Sequence, residues 1–212
     1  MDTKEQNMKD QLVKDIVDIE WDMFSSVNNM GGKASCQTQP LTFELMRRSQ
    51  LQIWDEPLLE SYLADLKAAK QEGRNLMTEK YARMMEFSHP DEFAAVRDAL
   101  PCLDAEAVSL VADIVKVNLD WKADVDARFP HLAGQGRILR TKDEVCGYSS
   151  VETYLAAELK TYSVKTLRLL KKWTEERLAQ GINDAELNLL SQIRGYGFSS
   201  LEEAERAVAA GR

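Results

Sequence analysis

The chain has 212 residues, a length that fits one globular domain. Hydrophobic residues make up 44% of it and charged residues 29%, which excludes a disordered, collagen-like or low-complexity chain. The 35 acidic residues outnumber the 27 basic ones, and the resulting net charge of −8 disfavours nucleic-acid-binding and membrane-binding surfaces, because both need positive charge.

Segment hydropathy and cysteine usage indicate where the protein resides. The amino terminus is polar, and no stretch approaches the roughly 18 consecutive apolar residues of a membrane span. Cys36, Cys102 and Cys146 are widely spaced and odd in number, a pattern typical of free thiols in a reducing compartment. We therefore expect a cytoplasmic protein with neither a membrane nor a nucleic acid as partner.

Nearly every segment has apolar residues at helical spacing, and none alternates in the way a strand does. In chain order, helices are predicted at residues 3–27, 41–54, 57–72 and 75–87, then 90–101, 104–128, 151–162, 164–178 and 184–194, and a last helix begins near residue 201. Glycine or proline lies at most of the boundaries between them. The sequence thus predicts an all-α fold, a bundle of about eight to ten helices in which residues 1–212 form one domain.

Five of these helices carry a polar residue within their apolar face when each is projected at 100° per residue. The five residues are Glu20, Gln50, Lys80, Asn118 and Glu158, and Arg47 lies at the margin of the face that holds Gln50. An unpaired buried charge costs several kcal/mol, so such groups persist only when they are paired or hydrogen-bonded. We expect these side chains to converge on a polar pocket inside the bundle.

Two interpretations of these residues stay open. A wide apolar face often holds one polar side chain with no functional role, and Glu20 and Lys80 would then form an ordinary salt bridge. In a pocket, burial would raise the pKa of a glutamate and lower that of a lysine, which suits acid–base chemistry. An anionic substrate would then be held by Arg47, Arg74 and Arg83. Arg83 also lies four residues after Glu79, the spacing of an ordinary ion pair on a helix surface.

Known catalytic and cofactor motifs do not fit. Residues 31–35 read Gly-Gly-Lys-Ala-Ser, but they lack the leading glycine of a phosphate-binding loop and follow a helix. Cys36 is a conceivable nucleophile that would need His89 or His131 as its base. No glutamate has a histidine three residues later in a helix, and zinc spacing is absent. The sequence therefore predicts no metal and no cofactor.

Several blocks of sequence resemble a known family. They read IEWDMF, NNMGGKASCQ, MRRSQ, GRN and EKYARMM, at residues 19–24, 28–37, 46–50, 73–75 and 79–85. They resemble the bacterial domain-of-unknown-function family 4125 over most of the chain, and the Gly-Gly-x-Ala-Ser-Cys-Gln block is the most specific part. The family implies no activity, but its members resemble stand-alone proteins or partners fused to a nucleotidyltransferase-like domain. Its polar signature falls on Glu20, Asn29, Gln37, Arg47, Gln50 and Lys80.

The leading hypothesis is a cofactor-independent enzyme that performs acid–base chemistry, as a lyase, hydratase, isomerase or hydrolase, on a small anionic metabolite. The expected catalytic groups are Glu20, Lys80 and Glu158. The expected substrate-binding residues are Asn29, Ser35, Cys36, Gln37, Arg47, Gln50, Tyr81 and Arg83.

Two alternatives remain open. One is a non-catalytic binding or regulatory module that forms a homodimer or binds a nucleotidyltransferase-like protein, and it predicts an exposed apolar patch without an enclosed polar cavity. The other is a metal-dependent enzyme in which Glu20 and Glu158 are ligands.

Overall fold

The computed structural model describes residues 3–28, 35–145 and 148–211, and for residues 3–6 and Cys36 the backbone alone. Within these residues the chain is all-α, as predicted, with eleven α-helices and no β-strand. The helices are α1 (Thr3–Ser25), α2 (Pro40–Leu51), α3 (Glu56–Gln71), α4 (Leu76–Ser88), α5 (Pro90–Val96), α6 (Ala105–Arg128), α7 (Pro130–Ala133), α8 (Val151–Leu159), α9 (Val164–Ala179), α10 (Asp184–Gly195) and α11 (Leu201–Ala209).

Short polar side chains fix the starts of most of these helices. At each start a side-chain oxygen accepts a hydrogen bond from a backbone N–H three residues later; these residues are Asp55, Asn75, Asp104, Ser150, Ser163, Asn183 and Ser200. One such cap stabilises a helix by about 1 kcal/mol. The spacing of residues 149–152 predicts a cap by Ser149, but Ser150 makes it instead, and Glu152 accepts a hydrogen bond from the backbone of Thr141.

Apolar side chains form two separate clusters among the described residues. The larger one joins α1, α3, α4, α6, α8 and α9 around residues such as Ile16, Leu58 and Ile114. The smaller one lies at the carboxyl-terminal end, where Val125 of α6 packs with Ile193 of α10 and residues of α11. Because α6 is 24 residues long, it contributes to both clusters and holds them side by side.

The loop predicted between the long helix and residue 151 is partly ordered into short helical turns. Its first residues form α7, which packs against α11, and Thr141–Asp143 forms a 3-10 turn. Nowhere in the described chain does a helix combine the length and apolar character that crossing a bilayer requires.

Candidate functional site

Glu20 of α1 and Arg47 of α2 form a buried bidentate ion pair. Arg47 donates from Nε to Oε2 of Glu20 at 2.7 Å and from Nη2 to Oε1 at 2.5 Å. The hydroxyl of Tyr62, on α3, donates to the same Oε1 at 2.6 Å. Glu20 is 0% exposed and Arg47 6% exposed, so the pair is held almost entirely by protein. A guanidinium matches a carboxylate in this two-pronged geometry, which makes the contact both strong and directional.

Glu158 of α8 is the second buried carboxylate and is also paired. Lys80 of α4 donates to its Oε2 at 2.6 Å, while Nη1 of Arg47 and the hydroxyl of Tyr162 donate to its Oε1 at 3.1 and 2.9 Å. Lys80 is 2% exposed and Glu158 3% exposed.

Arg47 therefore bridges the two carboxylates, and the resulting group carries two positive and two negative charges. We call the group the charge network: Glu20, Arg47, Lys80 and Glu158, with the hydroxyls of Tyr62 and Tyr162. The network draws a side chain from each of α1, α2, α3, α4 and α8. Its internal balance of charge is what allows these groups to be buried.

The surroundings of Glu158 keep its carboxyl group ionised. Burial alone raises the pKa of Glu158, but the charges of Arg47 and Lys80, with hydrogen bonds from Lys80 and Tyr162, outweigh burial and hold that pKa well below its ordinary value. For this glutamate the expectation of a raised pKa is wrong, because a helix projection reveals burial but not the partners that come with it. Burial and the neighbouring carboxylates raise the pKa of both Tyr62 and Tyr162, so both hydroxyls stay protonated as donors.

We predict that Glu158 makes the fold sensitive to acid. In an unfolded chain a glutamate has a pKa of about 4.3, and in the folded protein the pKa of Glu158 is lower. Its stabilising contribution is therefore complete above that unfolded pKa and is lost progressively as pH falls toward the folded pKa, because the unfolded chain takes up the proton first.

Urea unfolding between about pH 7 and pH 3 tests this prediction. The reference is the double variant Lys80→Met/Glu158→Gln, which removes one charge of each sign. Above about pH 5 we expect the difference in the free energy of unfolding between wild type and double variant to change little. Below about pH 4 we expect the wild type to lose stability relative to the double variant. A gap that stays constant down to pH 3 would contradict the pKa assignment.

A cavity of about 820 Å³ lies against the charge network, between the two apolar clusters. Arg47, Gln50 and Glu158 line it, whereas Glu20 and Lys80 are not part of its wall. Most of the remaining wall is aliphatic or aromatic and includes Trp54, Ile114, Trp121, Leu155, Trp173, Leu189 and Phe198. The volume and the mainly apolar lining with a few polar groups are typical of small-molecule sites.

Several other charged groups of the cavity wall are compensated by a neighbour. Lys122 and Asp126 pair with each other one helical turn apart on α6. The carboxylate of Asp184 accepts hydrogen bonds from Nε of Arg177 at 2.7 Å and from the indole nitrogen of Trp173 at 3.0 Å. These pairs add polarity to the wall without adding net charge.

The sequence profile of a family described as protein of unknown function, DUF4125, matches residues 10–206. The chain belongs to this family. The match confirms the resemblance seen in the sequence blocks, including residues 19–24 and 79–85. No curated protein and no solved structure is significantly similar to the chain. The description of this family names no activity.

The structure places two expected substrate-binding residues away from the cavity. The amide nitrogen of Gln37 donates to the carbonyl oxygens of Phe24 and Val27, both at 2.9 Å, so this side chain secures the chain just after α1. Ser35 is exposed, and its carbonyl oxygen accepts a hydrogen bond from the Thr38 hydroxyl at 2.7 Å. Gln37 is thus buried because it satisfies carbonyl groups at a helix end, where such groups lack partners.

Tyr81 and Arg83 also lie outside the cavity wall. Tyr81 is half-buried against the larger apolar cluster, and Arg83 donates from Nη2 to the carbonyl oxygen of Pro101 at 2.7 Å. Glu79, the suggested surface partner of Arg83, instead forms a two-pronged ion pair with Arg74 at 2.8 and 2.9 Å. Neither arginine is placed to bind a molecule in the cavity.

Some predictions concern parts of the chain that the structure does not describe. Asn29 and the glycines of the Gly-Gly block lie outside the described residues, as does the side chain of Cys36. Their expected roles in substrate binding or nucleophilic attack stay predictions. Among the residues that are described, no group of three or more histidine, cysteine or carboxylate side chains is arranged to hold a metal ion.

Sequence reasoning missed the tyrosines of the network. Tyr162 follows Glu158 by one helical turn, so their spacing was a usable signal for the hydrogen bond between them. Tyr62 had no such signal, because its contact with Glu20 joins residues 42 positions apart. Asn118 was expected to point inward; it is half-buried and lines the cavity.

Proposed function

We propose that the cavity is the binding site for a small molecule with a mainly apolar body. The observation that carries this proposal is a space of about 820 Å³ between two apolar clusters, with an ionised carboxylate in its wall. Much of the wall is apolar surface that faces solvent in the absence of a ligand. A ligand that fills the space removes this apolar surface from water, which favours binding.

The polar corner of the cavity is suited to a hydrogen-bond donor on the ligand. Arg47 donates hydrogen bonds from Nε and Nη2 to Glu20 and from Nη1 to Gln50 and Glu158. It therefore has no pair of free donors with which to bind an anion in bidentate geometry. Oε2 of Glu158 accepts from Lys80 and has a second lone pair. A hydroxyl or amine of the ligand would therefore bind at Glu158.

We propose acid–base chemistry as a second function at the same wall. In its support, Glu158 is an ionised carboxylate that lines the cavity and is oriented by Lys80 and Tyr162. Its lowered pKa makes it a weak base, suited to accept a hydrogen bond from a substrate hydroxyl and to stabilise positive charge that develops during a reaction. Glu20 and Lys80 would then be positioning residues.

The charged groups in the cavity wall support a small-molecule site over the binding or regulatory module, for which the sequence predicts an exposed apolar patch without an enclosed polar cavity. We also propose a cytoplasmic location on the strength of the cysteine pattern, of which Cys102 is free and exposed in the structure.

A matched pair of substitutions on α10 tests the cavity. Leu189 lines it, whereas Leu187, two residues earlier and also half-buried, does not. The probe is N-phenyl-1-naphthylamine, an uncharged dye whose emission rises in apolar surroundings. We expect saturable binding to the wild type and, because an indole fills space that the dye needs, a loss of affinity of at least about tenfold for Leu189→Trp.

The control variant Leu187→Trp is expected to bind the dye within about twofold of the wild type. Melting temperatures of both variants check that the fold is intact. Absence of saturable binding to the wild type, or an equal loss in the two variants, would contradict the proposed site.

A further inference from the structure

A line of alternating charge connects the buried Glu20 to an exposed arginine of the cavity wall. Its members in order are Glu20, Arg47, Glu158, Lys80, the ring of Tyr154 and Arg137. The ammonium of Lys80 lies 3.4 Å from the centroid of the Tyr154 ring, and the guanidinium carbon of Arg137 lies 4.8 Å from it. The face of an aromatic ring carries negative potential, so the ring takes the place of an anion between the two cations.

Arg137 ends this line at an exposed position, and within the described residues no ion pair compensates its charge. It lines the cavity, and Nη1 donates to the carbonyl oxygen of Ser149 at 2.9 Å. Within the described residues its Nε and Nη2 make no hydrogen bond, and no carboxylate lies within ion-pair distance of it. This distinguishes Arg137 from the paired lysine and aspartates elsewhere in the wall.

Glu144 is the acidic group on the same loop that Arg137 influences. Burial alone raises the pKa of Glu144, but hydrogen bonds from Thr153 and Ser150 and the charge of Arg137 lower it. Its carboxylate accepts from the backbone N–H of Ser150 at 2.6 Å and is not part of the cavity wall. Glu144 is therefore held by the loop and forms no ion pair with Arg137.

We infer that Arg137 binds the anionic group of the ligand, which makes the ligand an amphipathic organic anion. Its carboxylate, sulfonate or phosphate would complete the charge alternation, and its apolar body would lie against wall residues such as Trp121 and Trp173. The inference rests on the proposed function. It moves the anion site from Arg47, where the sequence predicted it, to Arg137, because the donors of Arg47 are held by Glu20 and Glu158.

Two dyes that differ by one charged group test this inference. 1-Anilinonaphthalene-8-sulfonate has the ring system of N-phenyl-1-naphthylamine plus a sulfonate, so the comparison isolates the anion. We expect Arg137→Gln to weaken binding of the sulfonated dye about tenfold, the usual scale for one charge-assisted hydrogen bond, and to leave the uncharged dye within about twofold. Arg137→Lys, which keeps the charge, is expected to restore part of the loss.

Arg140→Gln is the matched control, because Arg140 has the same charge on the same loop but pairs with Asp120 and does not line the cavity. It is expected to change neither affinity. Equal losses for the two dyes in Arg137→Gln, no loss for the sulfonated dye, or a wild type that binds only the uncharged dye would overturn the inference and leave the cavity proposal standing. Failure of the wild type to bind either dye would overturn both.

Discussion

Replacing Glu158 by glutamine is expected to lower the free energy of unfolding by about 3–5 kcal/mol. The substitution keeps the size of the side chain but removes the charge that Lys80 and Arg47 share. Lys80, which is 2% exposed, then faces a neutral amide at the position of its carboxylate partner. A buried ammonium without a counter-charge keeps its desolvation cost and loses the compensating attraction. Urea unfolding at pH 7 measures the change.

Two comparisons separate the loss of a buried charge from the loss of a contact. Lys80→Met/Glu158→Gln is expected to recover a large part of the stability, because it removes the unpaired cation as well. Glu106→Gln breaks the two-pronged pair with Arg168 on the protein surface, where solvent screens the charges, and little change is expected. If Glu158→Gln were as stable as Glu106→Gln, the stability of the buried network would not depend on charge balance.

Replacing Arg47 by methionine is expected to cost a similar amount, about 3–5 kcal/mol. Arg47 is the cation that lies between Glu20 and Glu158, and without it Lys80 alone would have to compensate two buried carboxylates. Arg47→Lys keeps the charge, but an ammonium has no planar fork with which to grip Glu20 and reach Glu158 at the same time. We therefore expect the lysine variant to be intermediate in stability.

Chemical denaturation of the three proteins checks this order. Arg168→Met, which removes an arginine of a two-pronged pair on the surface, is the control and is expected to have little effect. If the methionine variant were as stable as the wild type, or if lysine replaced arginine without loss, the bridging role of Arg47 would be wrong.

Stability alone does not explain why four charged groups occupy this place. A well-packed apolar cluster of similar volume is often at least as stable as a buried ion-pair network. The network is also not isolated in the core, because Arg47 and Glu158 form part of the cavity wall. Charges held rigidly at the edge of an apolar cavity are the arrangement expected when a ligand must be oriented as well as bound.

Helix periodicity was sufficient to predict the fold class and three members of the network. Glu20, Lys80 and Glu158 interrupt apolar faces, so burial followed from the projection alone. Arg47 was placed at a margin, yet it is buried because a long side chain reaches well beyond its own position on the helix. The pairing of Lys80 with Glu158 instead of Glu20 depends on how helices pack, which a single-helix projection does not contain.

The cavity itself was not predictable in detail. Leu189 and Gln192 of α10 form part of its wall. The sequence of α10 has the pattern of an ordinary amphipathic surface helix, so it does not indicate that this helix borders a cavity. Residues 31–37, the block on which the sequence resemblance most depends, illustrate the converse, because Gln37 serves the end of α1 and not the cavity. A conspicuous motif and the proposed binding cavity therefore need not coincide.

A crystal structure of the wild-type protein soaked with 1-anilinonaphthalene-8-sulfonate tests the central claim most directly. We predict density for the dye between the two apolar clusters, with its rings against the wall that includes Trp121 and Trp173 and its sulfonate within hydrogen-bonding distance of Arg137. Dye bound only on the outer surface, or a protein in which Arg47 and Glu158 border no cavity, would contradict it.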